Sequence, residues 1–148
     1  MPEFTITRHL NAPVDKVWEV LDNFGDIASW SPGVKRSALT SQGPVSEGTT
    51  RHCDFSPLGA VEERIETHLP NERMTINLYD TSKLPISDAV ADFNIAPHGD
   101  GTELTLNYRY NLNRLGRLAK GQTDKQMRKG INGLADDLDK ESQRITAT

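Results

Sequence analysis

The sequence lacks several features by which common classes of protein are recognised. Its one cysteine among 148 residues, Cys53, excludes an internal disulfide and fits a reducing compartment. No apolar run approaches the roughly 18 residues that a membrane-spanning helix requires. Residues 1–10 also lack the basic start and long apolar stretch of a signal peptide. We therefore expect a cytoplasmic protein without membrane insertion.

The chain also has no excess of basic residues. Its net charge is −4 and its pI is about 5.5, which argues against a nucleic-acid partner or an anionic membrane surface. Hydrophobic residues make up 35% of the sequence and aromatic residues 6%, both modest fractions. If part of the apolar surface lines a pocket, less of it remains for solid packing.

The motifs of common catalytic and metal sites are missing as well. The four histidines, His9, His52, His68 and His98, show no metal-ligand spacing, and the sequence has no glycine-rich nucleotide loop or nucleophile elbow. We therefore expect no metal and no cofactor. Cys53 with a single histidine is too little for a nucleophile, so we interpret it as a small buried hydrophobe.

The order of hydrophobic patterns predicts an α+β fold. Period-two alternation dominates the middle of the chain, and helical spacing dominates its end. We expect strands at 4–10, 34–40, 49–55, 60–69, 73–79, 89–95 and 103–112, short helices after Pro13 and at 26–30, a partly helical connector at 113–124 and a closing helix at 125–145. One helix covers seven antiparallel strands only if the sheet curves around it, and that geometry leaves a hollow between them.

The closing helix carries a narrow apolar stripe with two glycines beside it. Gly130 and Gly133 interrupt the helix interior, where each glycine costs about 1 kcal/mol relative to alanine. Gly130 lies roughly 60° from the centre of the stripe on a helical wheel. The stripe consists of Met127, Ile131, Leu134, Leu138 and Ile145.

An ordered set of short motifs resembles the START-like (SRPBCC) superfamily, also called the polyketide cyclase/dehydrase and lipid-transport group. The match begins at Asn11-Ala12-Pro13-Val14-Asp15-Lys16-Val17-Trp18 and continues through Phe24-Gly25-Asp26, Trp30-Ser31-Pro32-Gly33-Val34, Gly48-Thr49-Thr50-Arg51, Glu63-Arg64-Ile65, Gly99-Asp100-Gly101-Thr102 and Lys129-Gly130. No single motif is very specific, but the set covers essentially the whole chain in the right order.

The resemblance implies a helix-grip fold, as in birch pollen allergen and the plant abscisic acid receptors. It implies one START-like ligand-binding domain over residues 1–148, with a hydrophobic pocket for a small molecule. It does not imply one reaction, because the superfamily includes carriers, receptors and cyclases. Matched to the hormone receptors, Gly130 contacts ligand, so we interpret it as a gap kept for one.

Glu63 is the most informative polar residue. Strict alternation places it with Val61, Ile65 and Leu69 on the concave face, and places His68 on the outer face. A carboxylate among apolar residues is costly unless it is paired or solvated. It would contact a ligand's polar group, form an ion pair with the neighbouring strand, or act as an acid/base.

The register of the neighbouring hairpin decides which residues join Glu63. One turn length places Arg51, Cys53 and Phe55 on its face, and the other places His52 and Asp54 there, an arrangement that would look more catalytic. The resemblance to the hormone receptors favours the first register.

Aromatic residues complete the predicted pocket. Tyr108 is expected to form a polar pair with Glu63, Trp18 is expected in the core, and Trp30 at the pocket mouth. Loops 57–59 and 83–85 would act as gates. The full set of expected ligand contacts is Cys53, Phe55, Glu63, Ile65, Ile76, Leu78, Ala91, Phe93, Tyr108, Met127, Gly130 and Leu134.

Three functions fit these observations. The first is transport or sensing of a small hydrophobic or amphipathic molecule held in an internal cavity. The second is a polyketide cyclase/dehydratase-type enzyme with Glu63 as acid/base. The third is a protein-interaction module that uses the outer sheet face or the pocket rim. The oligomeric state stays open between monomer and homodimer.

Overall fold

The computed structural model describes residues 1–147 and contains one curved antiparallel sheet that wraps around a long helix. The elements in chain order are β1 (Glu3–Leu10), α1 (Val14–Asp22), a 3₁₀ helix (Phe24–Ser29), β2 (Val34–Leu39), β3 (Thr50–Phe55), β4 (Ala60–Leu69), β5 (Arg73–Ser82), β6 (Ile86–His98), β7 (Gly101–Leu112), α2 (Arg114–Leu118) and α3 (Lys120–Thr146).

The sheet order confirms the predicted seven-stranded fold. Strands β2 to β7 follow one another as a meander, and β1 pairs with β7, which gives the order β1-β7-β6-β5-β4-β3-β2. Because neighbouring antiparallel strands can be joined by tight hairpins, turns of two to four residues connect β3 through β7, and the longer segment 40–49 connects β2 to β3. The two short helices after β1, the long C-terminal helix and the helix-grip architecture are as predicted.

Helix α3 packs its apolar stripe toward the concave face of the sheet. Ile131, Ala135 and Leu138 are buried on it. Two hydrogen bonds tie the helix to the β1–β7 side of the sheet: the Tyr110 hydroxyl donates to Asp124 Oδ1 at 2.6 Å, and the Asn11 backbone N–H donates to Asp139 Oδ1 at 2.8 Å.

Several elements extend beyond their predicted bounds. Strands β5, β6 and β7 are longer than the alternation indicated, and α3 begins at Lys120 instead of residue 125. The predicted connector at 113–124 holds the whole of α2, where the Asn113 side chain caps the helix by accepting from the Gly116 backbone N–H. The helical part of the connector was expected, but the sequence did not give its bounds, because α2 is only five residues long.

A β-bulge in β4 gives two residues an orientation opposite to the predicted one. The register with β5 shifts between Ile65 and Thr67, so Glu66 has no cross-strand partner. The extra residue reverses the alternation after it. His68 therefore turns inward against α1, where its Nε2 lies 2.7 Å from Asp22 Oδ1, and Leu69 is 46% exposed. The prediction of an outward His68 and an inward Leu69 was wrong for this reason.

The core extends from the concave sheet face to α1 and α3. Trp18 is buried as predicted and its ring meets the His68 ring edge-on at 5.2 Å. Ile65, which lies opposite Ile76 across the β4–β5 ladder, is fully buried. Among residues 1–147, no helix is long and apolar enough to cross a membrane.

We predict that Ile65→Ala lowers the free energy of unfolding by about 2–5 kcal/mol, because removing a fully buried aliphatic side chain leaves a void in the packing. Ile65→Val, which removes one methyl group, should lower it by about 0.5–1.5 kcal/mol. Urea denaturation followed by circular dichroism measures both. Equal and negligible effects would show that Ile65 is not part of the packed core.

Candidate functional site

A cavity of about 430 Å³ lies between the concave sheet face and α3. Apolar side chains form most of its wall, and the polar residues among those that line it are Asn23, Ser31, Arg51, Ser56, Glu63, Tyr108 and Gln126. Strands β3 to β7 supply one side, α3 the other, and α1 with the 3₁₀ helix close one flank. The volume falls within the range of about 300–1,000 Å³ that is common for small-molecule sites.

The structure brings eleven of the twelve expected contact residues together around this cavity. The exception is Ile65, which does not border it and instead packs in the core. The eleven residues on the wall are Cys53, Phe55, Glu63, Ile76, Leu78, Ala91, Phe93, Tyr108, Met127, Gly130 and Leu134.

The register of β3 against β4 places Arg51 directly opposite Glu63. Arg51, Cys53 and Phe55 therefore line the cavity with Glu63, as the favoured register predicts. The Arg51 Nε donates to Glu63 Oε1 at 2.9 Å, and the two side chains are 7% and 16% exposed. The ion pair and the cavity position, which the sequence offered as alternatives for Glu63, both occur.

Arg51 is held from three directions. Besides the ion pair, its Nη1 donates to the Phe24 carbonyl oxygen at 2.9 Å, and its guanidinium carbon lies 3.8 Å from the centroid of the Phe24 ring. These contacts compensate a buried cation that would otherwise be costly. Arg51 thereby joins β3, β4 and the 3₁₀ helix around one end of the cavity.

Two polar groups on the wall keep hydrogen-bonding capacity. Within residues 1–147, Glu63 Oε2 and the Tyr108 hydroxyl have no hydrogen-bond partner, and no hydrogen bond joins them to each other. Burial, with the negative charge of Glu63, raises the pKa of Tyr108. The phenol therefore stays protonated at neutral pH and can donate, while the Glu63 oxygen can accept.

Cys53 is a buried wall residue rather than a reactive thiol. It is 1% exposed, and its Sγ lies 3.8 Å from Glu63 Oε1. Burial, reinforced by the charge of Glu63, raises the pKa of Cys53 to about 12. A thiolate nucleophile at this position would therefore be rare at neutral pH.

The alternative catalytic cluster lies on the outer face of the sheet. His52 contacts Glu62 through Nδ1 and Asp54 through Nε2, the latter at 3.0 Å. Hydrogen bonding to Glu62, and then to Asp54, raises the pKa of His52. None of the three residues lines the cavity, so the sheet itself separates them from Glu63.

Trp30 carries a polar atom that the structure leaves unsatisfied. The residue lines the cavity, as expected for its mouth, yet its indole Nε1 is buried without a hydrogen-bond partner in the described part of the chain. Buried tryptophan N–H groups usually find a partner. The sequence predicted that Trp30 lies at the cavity, but it did not predict that the indole N–H lacks a hydrogen-bond acceptor.

Sequence reasoning missed the wall that the short helices provide. Val20 and Leu21 of α1 and Ile27 of the 3₁₀ helix line the cavity. Their helical spacing showed an apolar face, but not whether that face meets the core or the cavity. Leu58 and Leu84, from the two loops expected to act as gates, also line it.

No group of three or more His, Cys, Asp or Glu residues in positions 1–147 has an arrangement that would hold a metal ion. Arg51, Glu63 and Tyr108 supply polar groups to the cavity wall, together with the amide and hydroxyl side chains of Asn23, Ser31, Ser56 and Gln126. This set can orient a ligand by hydrogen bonds and an ionic contact within apolar walls.

Comparison with known proteins gives a match over nearly the full chain. A family model described as polyketide cyclase / dehydrase and lipid transport matches residues 1–141. No curated protein matches the sequence.

Solved structures share the fold at low sequence identity. TTHA0849 from Thermus thermophilus is 16% identical, with a TM-score of 0.82 over 97% of this chain and 99% of that one. The Zhui aromatase/cyclase from a Streptomyces species is 14% identical, with a TM-score of 0.83 over 97% and 94%. Ara h 8.0201 is 9% identical, with a TM-score of 0.78 over 97% and 98%.

We predict that Cys53 reacts with Ellman's reagent at pH 8 at least about 100-fold more slowly in the native protein than in urea. Its pKa of about 12, against 9.0 for an ordinary thiol, makes the thiolate about a thousandfold rarer, and burial adds a steric barrier. Absorbance of the released thiolate measures the rate. Equal rates would show that the thiol is open and ionisable.

Proposed function

Because the chain belongs to the polyketide cyclase/dehydrase and lipid transport family, we propose that its cavity binds a small hydrophobic or amphipathic molecule for transport or sensing. The observation that carries the proposal is a mainly apolar volume of about 430 Å³ that the protein's own side chains leave unfilled. Burying apolar ligand surface there would contribute about 25 cal/mol per Å² before the costs of association.

The polar residues would fix the orientation of the ligand. Glu63 Oε2 would accept a hydrogen bond from a ligand hydroxyl, and the Tyr108 hydroxyl would donate one to a ligand oxygen. Arg51 is already committed to Glu63 and to the Phe24 carbonyl, so its main role would be to hold Glu63 in place. An amphipathic molecule with one oxygenated end suits this arrangement better than a pure hydrocarbon.

Gly130 supports the proposal from the helix side. It lines the cavity, and a Cβ added there would meet no atom within 4 Å. Glycine within a helix lowers stability, so its presence at this position favours a role in leaving space. Gly133 also has open space at its Cβ but does not line the cavity.

We predict that Gly130→Leu weakens binding of the fluorescent lipophile 1-anilinonaphthalene-8-sulfonate by about tenfold or more, because an isobutyl group would enter the cavity. Thermal stability should hold or rise, since leucine is a good helix former whereas glycine costs about 0.8–1 kcal/mol relative to alanine. Fluorescence titration and a thermal melt measure the two effects.

Gly133→Leu is the matched control, because it makes the same change on the same helix away from the cavity. It should leave probe affinity close to that of the parent protein. Normal binding by Gly130→Leu, or equal loss by both variants, would remove the cavity as the binding site.

A second function, a cyclase or dehydratase, is favoured by one observation. Glu63 presents an unpartnered carboxylate oxygen within mainly apolar walls, where a proton transfer to a bound polyketide-like substrate would be shielded from water. In this function the carboxylate takes a proton from an acidic carbon and returns one to a leaving hydroxyl. Tyr108 would donate to a substrate carbonyl oxygen.

We predict for this second function that Glu63→Gln lowers turnover of a poly-β-ketone substrate by about 10²–10⁴-fold while substrate binding changes little. Glu62→Gln makes the same chemical change on the outer face and should leave turnover unchanged. Product formation measured by chromatography distinguishes them. Full activity in Glu63→Gln would exclude Glu63 as the acid/base.

A further inference from the structure

The basic residues of the chain are concentrated in one short segment. Six of its 17 basic residues, but only one of its 21 acidic residues, lie between Asn113 and Gly130. The overall charge of −4 conceals this segment, because the remaining acidic residues are spread over the rest of the chain. The segment covers α2 and the first turns of α3.

Most of these charges are not neutralised by the fold. Asp124, the acidic residue of the segment, forms an ion pair with Arg128 at 2.8 Å. The five other cations of the segment have no carboxylate partner within residues 1–147, and all five are exposed; they are Arg114, Arg117, Lys120, Lys125 and Lys129. We call them the basic cluster.

Two leucines project from the same segment into solvent. Leu115 is 64% exposed and Leu118 is 84% exposed, the highest exposure of any large hydrophobic residue in positions 1–147. Both lie on α2, next to Arg114 and Arg117 in sequence. Solvent-facing leucines interleaved with basic residues are typical of segments that lie in the interface of an anionic membrane.

The segment lies beside the mouth of the cavity. The Asn113 side chain donates to the Leu84 carbonyl oxygen at 2.6 Å, and a Cβ at Gly116 would collide with the Pro85 oxygen, so α2 packs directly on the β5–β6 loop. Leu84 lines the cavity, as does Leu58, which is 55% exposed on the adjoining loop. Ligand traffic through this end would therefore pass close to the basic cluster.

We propose that this end of the molecule docks on a membrane surface that contains anionic lipid, so that the cavity mouth faces the source or destination of its ligand. The basic cluster supplies attraction to the headgroups, and Leu115 and Leu118 enter the interface beside them. The net negative charge of the rest of the molecule opposes other orientations. The purpose of docking, to exchange ligand with the membrane, rests on the proposed ligand-binding function. Binding to the membrane does not depend on that function.

A bilayer fits these residues better than an acidic protein does. Leu115 and Leu118 project from a convex helical turn, and fluid acyl chains accept such side chains without a preformed pocket. A protein partner would need a matched recess for each leucine and a fixed position for each acidic group.

The test is co-flotation with vesicles of phosphatidylcholine alone or with about 30% phosphatidylglycerol. We expect the parent protein to float only with the anionic vesicles, and to be released at about 1 M salt, where the Debye length is about 3 Å. Arg117→Gln/Lys120→Gln should weaken binding about 25-fold, because each basic residue near an anionic surface is worth about fivefold. Leu115→Ser/Leu118→Ser should also weaken it.

Lys16→Gln/Lys140→Gln is the matched control, with the same loss of charge elsewhere. Lys140 lies twenty residues beyond Lys120 in α3, about 30 Å away at 1.5 Å per residue. Unchanged binding in this control supports the proposed orientation. Equal weakening in both double variants would overturn it, as would a parent protein that ignores anionic vesicles or binds poly-glutamate in their place.

Titration with 1-anilinonaphthalene-8-sulfonate separates this proposal from the proposed function. A protein that binds the probe in its cavity but no vesicles contradicts docking alone. A protein that floats with anionic vesicles but binds no lipophile supports docking and contradicts the cavity function.

Discussion

The mismatch between one helix and a seven-stranded curved sheet determines the structure of this protein. Helix α3 covers the concave face with Ile131, Ala135 and Leu138, but it leaves about 430 Å³ between itself and the strands. Protein interiors are otherwise close-packed, so a volume of this size lowers stability unless something occupies it. The short helices line the space instead of filling it, and Gly130 adds no side chain to the helix side.

The ion pair between Arg51 and Glu63 makes one end of the mainly apolar cavity polar. Removing both charges would allow a better-packed wall, since buried ion pairs often stabilise less than apolar replacements of similar size. Under the proposed function the pair would serve recognition, because Arg51 binds one carboxylate oxygen of Glu63 and leaves the other free. The protonated Tyr108 hydroxyl adds a donor to that acceptor, which under the proposed function would orient an oxygenated ligand.

Alternation and turn chemistry predicted most of the fold, because each strand has one face on the core and the hairpins follow in sequence. Alternation, the helical stripe and the resemblance to the hormone receptors together selected eleven residues that line the cavity. Alternation failed where the geometry departs from strict period two. The bulge at Glu66 exchanges the faces on which His68 and Leu69 lie. No residue in the sequence of β4 indicates a bulge. Ile65 lies on the concave face but is packed in the core away from the cavity. Alternation predicts the face of a residue, not whether it borders the cavity or the packed core.

The overall composition did not indicate the basic cluster. A net charge of −4 argued against an anionic surface, yet the basic cluster lies within eighteen consecutive residues. The net charge of the whole chain does not show the local positive charge of this segment, which the fold places beside the cavity mouth. Sequence showed the residues; only the packing of α2 on the Leu84–Pro85 loop showed where they lie.

Under the proposed function, the cavity holds a small lipophilic molecule. Native mass spectrometry of the protein purified from its own host tests it most directly. We expect a non-covalent adduct of one small hydrophobic molecule, released by collisional activation and absent from Gly130→Leu. A ligand-free mass from the host, together with no thermal shift across a broad set of lipophiles, would contradict it.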